Sequence, residues 1–537
     1  MDYMPISLLV TAVVIVACMM LHRISDRFGV PVLPAFILLG ILFGSDGVMR
    51  IPFDDFAISE KICSSALILI IFYGGFGTRW EAARPVAVAA TLLSTLGVVM
   101  TAMLCGVFCH FILGFSLLES FLLGSVISST DAAAVFSILR SRRLGLRENT
   151  ASLLELESGS NDPASFMLTI VVLSIMDGKA EFGNVLELLF RQFVLGIGFG
   201  VLIAWICVQI FRRFRFSKSG FHAIFMLAAA MFAYSIPAMV DGNGYLSVYI
   251  AGIILGNSRL PDTKPLVHFF DALMGLMQML VFFLLGLLSS PSQIPQVIVP
   301  SIFLALFLTF VGRPLAVFAL LAPLRCSRPQ KLLVSWSGIR GVASIVFVTI
   351  ATAHIGTPEH DIFHIVFCIV LFSILLQGSL IPFFAKKLGM LDSDADVLKT
   401  FSDYTEEVPV QLVELPIPPD HIWVNRKVRD MQLPPGMLLV LIRRGGAFLV
   451  PNGQSVAESD DVLVLMARAF RQMENIHLSE IQLADGHTWV GRHLSEISLA
   501  SQQLVVLIFR GNHTVIPSGR TLLHSGDTLV IQTEPTA

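Results

Sequence analysis

Long apolar stretches separated by short polar ones occupy the first three quarters of the chain. Crossing a bilayer takes about 20 mostly apolar residues. Windows of that kind fall near residues 5–22, 30–45, 61–78, 84–111, 117–139, 150–176 and 186–210. Further windows lie near 222–239, 245–257, 267–288, 297–322, 331–353 and 361–386, which predicts about thirteen membrane-spanning helices. MDYMPIS at the start holds no Lys or Arg, so the first window reads as a span and not as a cleaved signal peptide.

The polar breaks alternate in character. Every second one is basic: Arg23 and Arg27; Arg79 and Arg84; Arg140, Arg142, Arg143 and Arg147; Arg212, Arg213, Arg215 and Lys218; Arg259 and Lys264; Arg325, Arg328 and Lys331. The intervening breaks offer little beyond Arg50, Lys61, Lys179 and Arg191. Basic loops stay cytoplasmic, which places the amino terminus outside and, with an odd number of spans, the tail inside.

After residue 390 the pattern changes. A polar linker, LDSDADVLKTFSDYTEEVPV, covers 391–410, and beyond it a shift of 66 positions lays one stretch over another without a gap. Trp423 meets Trp489, Arg426 meets Arg492, Pro451 meets Pro517, Gly453 meets Gly519 and Asp461 meets Asp527. This register is an internal duplication. Each copy reads as strand, short helix, strand (437–442 and 504–509), a hairpin turn with glycine, and further strands.

Composition sharpens this division. The chain is 55% hydrophobic and 14% charged, against about 25% charged in soluble domains. Of its 75 charged residues, 25 fall in 401–537. A net charge of −3 gives no basic face for nucleic acid. The seven cysteines all lie in or beside apolar stretches. Cys105 and Cys109 share a helix face but have no second ligand pair, so they read as core residues. H-E-x-x-H and G-x-S-x-G are absent, which argues against an enzyme, and no T-V-G-Y-G filter suggests a channel.

Charges at bilayer depth line a pathway or have a partner. Asp131, Glu157, Asp162, Arg313 and Arg340 stand well inside windows. At the helical rise, Asp131 lies about 12 Å and Asp162 about 18 Å from the cytoplasmic ends, while Glu157, Arg313 and Arg340 lie at about 10–14 Å. Equal depth suggests an ion pair between Glu157 and either Arg340 or Arg313. Asp131 sits in SSTDAAAV, whose Ser128, Ser129 and Thr130 weaken a helix. Asp162 sits in LELESGSNDPASF; Ser158 shares its face, and Glu157 and Asn161 share the adjoining one. Pro163 withholds an N–H from the carbonyl of Gly159, which predicts a break there and a free oxygen. Hydroxyls, a carbonyl and two carboxylates suit an alkali ion or a proton, and there is no His or Cys for a transition metal. Asp271, within a turn of a span end, reads as a solvated residue.

T-D in one span, E-S-x-x-N-D in the next, S-W-x-G-I-R-G in a late span and G-R-P-L-A-V around Arg313 resemble NhaP-type cation/proton antiporters over residues 1–390. The resemblance implies two inverted repeats, a homodimer, and crossed, partly unwound helices at the ion site. It implies that Asp162 binds the ion or proton, with Asp131, Thr130, Ser158 and Asn161 around it. It also implies that Glu157 forms a structural pair with an arginine. The related electrogenic branch has Asp-Asp where this chain has Asn161-Asp162, so likeness to the Asn-Asp branch implies electroneutral exchange. The tail copies, with their closing P-x-G-x-x-x-x-x-x-D, resemble the RCK C-terminal (TrkA-C) module of potassium systems. That resemblance implies dimerisation and a possible small-molecule ligand. No G-x-G-x-x-G follows a strand in 391–420, and GIGFG at 196–200 lies in an apolar stretch, so no nucleotide cofactor is expected.

The expectation is a polytopic α-helical membrane protein with small α+β cytosolic tail domains. Residues 1–390 form the antiporter domain, 391–410 the linker, 411–470 the first module and 476–537 the second. Its function is secondary active exchange of potassium for protons in a bacterial inner membrane, extruding the cation under control of the tail. A sodium/proton antiporter of the same fold, or a tail-gated cation channel, is the alternative.

Overall fold

The computed structural model describes residues 4–28, 32–141, 144–178, 184–213, 219–258, 263–355, 359–392 and 410–533, apart from 420, 432, 434–436, 446, 469–476, 498, 500–502, 511–512 and 516. Arg142, Arg143, Lys179, Arg215, Lys218, Arg259 and the linker from 393 to 409 therefore lie outside the described residues. The chain divides into two compact units, 1–406 and 407–537.

The first unit is helical. Among the described residues, seven helices are long and apolar enough to cross a membrane: Phe56–Gly77, Arg84–Leu113, Val185–Arg213, Gly220–Ala238, Pro265–Leu288, Ile294–Leu321 and Ile362–Lys387. This is fewer than the thirteen windows because several windows hold shorter or interrupted helices, such as Leu33–Phe43, Gly244–Gly256 and Val342–Ile355. The 27-residue helix Thr150–Met176 is long enough but carries the polar run around Asp162.

Two windows contain helices interrupted at mid-course. One is Leu117–Val126 followed by Ala132–Ser141, and the other is Arg328–Trp336 followed by Val342–Ile355. SSTD and SGIRG occupy the gaps, and their hydroxyls and glycines satisfy or expose backbone groups that a continuous helix would use. Each interrupted helix lies in sequence between two long ones: Arg84–Leu113 and Thr150–Met176 in the first half, Ile294–Leu321 and Ile362–Lys387 in the second. Elsewhere small residues bring helices together. A Cβ on Gly256 would lie 1.9 Å from the carbonyl oxygen of Phe76, so only glycine lets Gly244–Gly256 pack on Phe56–Gly77 at this distance.

One expectation needs correction. The helix carrying Asp162 is not broken at Pro163; it runs from Thr150 to Met176. Pro163 removes one intrahelical bond, at the Gly159 carbonyl, without ending the helix; separately, Asn243 Nδ2 donates to the Pro163 carbonyl at 2.9 Å.

Gly145–Leu146 pairs antiparallel with Leu391–Asp392. This two-residue ladder puts the basic loop before Thr150 and the segment leaving the last helix on the same side of the unit.

The second unit contains two four-stranded antiparallel sheets. The first has the order Val410–Pro416, Val462–Arg468, Leu438–Arg444, Ala447–Leu449; the second has His477–Gln482, Thr528–Thr533, Gln503–Arg510, His513–Val515. The duplication extends to details. The ladder skips one residue at Val440 in the first sheet and at Val506 in the second, which is the same position after the 66-residue shift. Ile417, Leu439, Ile442, Leu463 and Leu465 form one small core, and Leu483, Val505, Ile508, Leu529 and Ile531 repeat it. The short helix expected in each copy is a single 3₁₀ turn, Val428–Asp430 or Leu494–Glu496.

Candidate ion site

The gaps in the two interrupted helices meet. The Asp131 N–H donates to the Ile339 carbonyl at 2.7 Å, and Arg340 Nη1 donates to the Ser129 carbonyl at 2.6 Å. Gly341 is required here, since a Cβ would lie 1.9 Å from Asp131 Oδ2. Each gap exposes one helix C-terminus, negative in partial charge, and one N-terminus, positive. Arg340 faces the first kind through Ser129, whose carbonyl lies beyond the end of Leu117–Val126. Asp131 serves the second: its Oδ1 accepts from the Ala134 N–H at 3.2 Å and caps Ala132–Ser141. The Arg340 N–H in turn donates to Ser373 Oγ at 2.9 Å, tying the second gap to Ile362–Lys387.

Thr150–Met176 lies against this crossing. The Ser129 hydroxyl donates to Asp162 Oδ1. Ser158 Oγ donates to the Thr130 carbonyl at 2.6 Å, and Asn161 Nδ2 donates to Thr130 Oγ1 at 2.6 Å. Asp162 and Asp131 are half-buried, whereas Ser129, Thr130, Ser158 and Asn161 are buried. A cavity of about 110 Å³ is lined by Ser129, Thr130, Asp131, Ser158 and Asp162. That is room for a cation with some of its water. The exposed oxygens make it a hard-ligand site with two carboxylates.

The structure thus brings Asp131, Thr130, Ser158, Asn161 and Asp162 to one place. The other expected residues lie behind it. Arg313 Nη2 is 2.5 Å from Glu157 Oε1, and both side chains are almost fully buried. Of the two arginines left open by the sequence, Arg313 makes this contact.

Two features escaped the sequence. Ser129, expected only to disturb a helix, bonds the Asp162 carboxylate. Glu155 lines the same cavity as Asp162, and its spacing of seven residues from Asp162, two helical turns, was the signal available for it. The Tyr73 hydroxyl reaches Asp271 at 3.4 Å, a contact added to an acid that is exposed, in keeping with its reading as solvated.

Two crossed, interrupted helices with paired acids beside a continuous third helix define a carrier of small cations, not an enzyme. The transmembrane sodium/hydrogen exchanger family profile matches residues 10–387, and the chain belongs to that family of cation/proton antiporters. The TrkA-C domain profile matches 412–469 and 478–537. Among similar proteins, the K(+)/H(+) antiporter NhaP of Alkalimonas amylolytica is 32% identical over 478 residues, 87% of this chain and 82% of that one. The Na(+)/H(+) antiporter ApNhaP of Aphanothece halophytica is 26% identical over 64% of this chain and 67% of its own. The solved sodium proton antiporter MjNhaP1 of Methanocaldococcus jannaschii has the same fold in the membrane unit, with a TM-score of 0.64 at 24% identity over 71% of this chain and all of that one.

Proposed function

We propose that this chain exchanges potassium for protons, electroneutrally, at Asp162. The observation that carries the reading is the Asp162 carboxylate, set on a cavity beside the helix crossing and within reach of Ser129. A carboxylate that holds a proton cannot also hold a cation, so the two compete for one place. Asp131, Ser158 and Thr130 complete the coordination, and Asn161 holds Thr130. Exposure of the site to each side in turn, by movement of the crossed helices against the rest of the unit, makes the competition an exchange. The recurring order of long, interrupted and long helix supports two inverted repeats.

Potassium is favoured over sodium because a relative that matches 87% of the chain, and so reaches into the tail, is named for potassium. Sodium is the second reading, since ApNhaP, which matches less of the chain, is named for sodium. Asn161, neutral where the electrogenic branch has an acid, supports one cation for one proton. The protein is read as an inner-membrane homodimer with its amino terminus outside and its tail inside, extruding the cation. Residues 1–390, 391–410, 411–470 and 476–537 are taken as transport domain, linker and two regulatory modules that accept a small-molecule ligand, with no nucleic-acid partner.

The test is proton flux in proteoliposomes driven by lithium, sodium, potassium or rubidium gradients, at several clamped membrane potentials. Potassium is expected to support the highest flux, without dependence on voltage. Asp162→Asn is expected to reduce all four to background while the protein still inserts; substantial flux in this variant rejects the site.

A further inference from the structure

A second cavity, of about 400 Å³, lies between helices Ile294–Leu321 and Ile362–Lys387 and shares no lining residue with the cavity at Asp162. Its rim is apolar and exposed. Leu306 and Phe310 stand one turn apart on the first helix, and Leu376 and Leu380 stand one turn apart on the second. On helices that cross a bilayer, exposed apolar side chains meet lipid chains. The floor, by contrast, is buried and polar, with Arg340, Ser373 and Gln377 on it. Both walls take a wide π-helical turn at this level, Leu308–Gly312 in one and Ser373–Gly378 in the other. Turns of this kind are frequent at functional sites.

Arg340 is the group on this floor that the helix crossing does not account for. It is 1% exposed, and its Nη1 donates to the Ser129 carbonyl. Its Nε and Nη2 have no hydrogen-bond partner among the described residues. The carboxylate that acts on it, Glu157, is already in contact with Arg313, and the second charge acting on it is that of Arg313 itself. No Asp or Glu is among the lining residues. A buried charge without its counter-charge is strongly destabilising, so this crevice favours an anion. Gln377 accepts the Ser373 hydroxyl through Oε1 at 2.5 Å, which leaves its NH2 group to donate.

Depth selects the anion. By the helical rise Arg340 stands about 10–14 Å inside its span. A phosphate head stays charged and remains at the interface, whereas a carboxylic acid passes apolar depth uncharged and pairs with a guanidinium on meeting it. We propose that this crevice binds a long-chain carboxylate, a free fatty acid drawn from the lipid phase, with its alkyl chain against Leu306, Phe310, Leu376 and Leu380 and its head group on Arg340. The ligand supplies the hydrogen bonds that Arg340 lacks, and it does so away from the cavity where cation and proton compete.

Trp336 lines the crevice, so a brominated ligand that enters it quenches the fluorescence of this residue. The full-length protein in zwitterionic lipid vesicles is titrated with ω-bromoundecanoate or with ω-bromoundecanol, and the signal is the quenching lost in Trp336→Phe. The acid is expected to quench Trp336 saturably, and undecanoate without bromine should reverse the effect. The alcohol, which brings no charge, should need about tenfold more or greater, the loss of one hydrogen bond between charged groups. Ala305→Phe, which adds a ring to the crevice wall, should weaken binding of the acid. If Trp336→Phe fails to insert, reversal by undecanoate in the wild type still decides the matter. Equal quenching by acid and alcohol overturns the proposal, and so does quenching that undecanoate does not relieve. Vesicle lipid brominated in its chains that quenches Trp336 regardless of added undecanoate means that ordinary lipid fills the crevice, which overturns it too.

Discussion

Both units set arginine against a buried carboxylate, but they do so in opposite ways. In the tail, Asp461 is fully buried and receives Arg444 Nε and Nη2 at 2.8 Å each, with the Glu458 N–H donating at 2.8 Å. The same Nη2 reaches the Val456 carbonyl. The second copy repeats these four bonds, with Arg510 on Asp527 at 2.8 and 2.7 Å, the His524 N–H at 2.9 Å and the Leu522 carbonyl as acceptor. In the membrane unit, Arg313 meets Glu157, yet Glu157 Oε2, Arg313 Nε, and Nε and Nη2 of Arg340 have no hydrogen-bond partner among the described residues. A saturated clip holds one conformation, because any movement leaves a buried charge short of bonds. Unsaturated groups have less to lose on moving. The tail charges are built to hold a fold twice over, and those of the membrane unit leave room for a second arrangement.

The difference breaks first at Glu157. Removing one member of a buried pair leaves a lone charge and costs about 3–5 kcal/mol. Glu157→Gln should therefore lower thermal stability by an amount of that order. Adding Arg313→Met should restore part of the loss, and adding Arg340→Met should restore less. Thermal unfolding in detergent of these three variants and of the Arg313→Met and Arg340→Met single variants, five beside the wild type, gives two double-mutant cycles that measure this. Equal coupling to both arginines, or none to either, would remove the distinction between Arg313 and Arg340.

A smaller effect is expected in the tail. The Arg444 and Arg510 guanidiniums hold the Asp461 and Asp527 carboxyls below the usual carboxylate range, with backbone N–H groups adding to the shift. For an acid whose pKa is lower in the folded state, the stabilisation is complete above the unfolded pKa, about 3.9. It is lost as pH falls through the folded value. Hydrogen-exchange protection of strands Leu438–Arg444 and Gln503–Arg510, corrected for intrinsic rates, should thus hold down to about pH 4 and fall below it. Asp461→Asn should lower protection by about 1–3 kcal/mol in its own copy, the range for a lost buried hydrogen-bond partner. Asp527→Asn should do the same in the other copy. Protection in the wild type that does not change below pH 4 would mean that the clips do not hold the sheets.

The same contrast explains what could be read from the chain. The tail duplication was legible because both copies keep one register, so Trp423 over Trp489 already implied two equal sheets. The Arg444 and Arg510 partners of the repeated aspartates were visible in that register and went unnoticed, since neither stands beside its aspartate in sequence. In the membrane unit, rare charges marked the site: Asp131 and Asp162 stand out in apolar sequence, and Ser158 and Asn161 follow from helical spacing. What sequence missed there depends on contacts between distant segments. Pro163 suggested a broken helix, but the helix runs on to Met176, and Asn243, 80 positions away, packs on it through a bond to the Pro163 carbonyl. The Ile339–Gly341 crossing on Asp131 is likewise invisible without tertiary structure. A depth argument left Glu157 two possible partners, and side-chain direction decides between them.

The smallest expected effect concerns whether the tail's closed, bond-saturated modules contribute to transport at all. The side chains proposed to hold the cation come from residues 129–162, and the residues lining the cavity all lie between 67 and 343, so removal of the tail leaves the site whole. The position of the cut matters. Leu391 and Asp392 pair with Leu146 and Gly145, and the Arg147 N–H donates to the Met390 carbonyl at 2.9 Å, next to the helix that carries Asp162. A chain ended after Ser393 keeps these contacts, whereas one ended at Lys387 loses them. The first should therefore retain exchange, with apparent cation affinity or pH response altered by no more than a regulatory coupling of about 1–3 kcal/mol, or roughly 5–150-fold. The second should lose stability as well, because the loop before Thr150 is released. Potassium-driven proton flux and thermal unfolding of both truncations measure this. If the chain ended after Ser393 inserts and unfolds normally but carries no flux, the modules are part of the transport machinery, and the contrast drawn between the two sets of buried charges does not divide regulation from exchange.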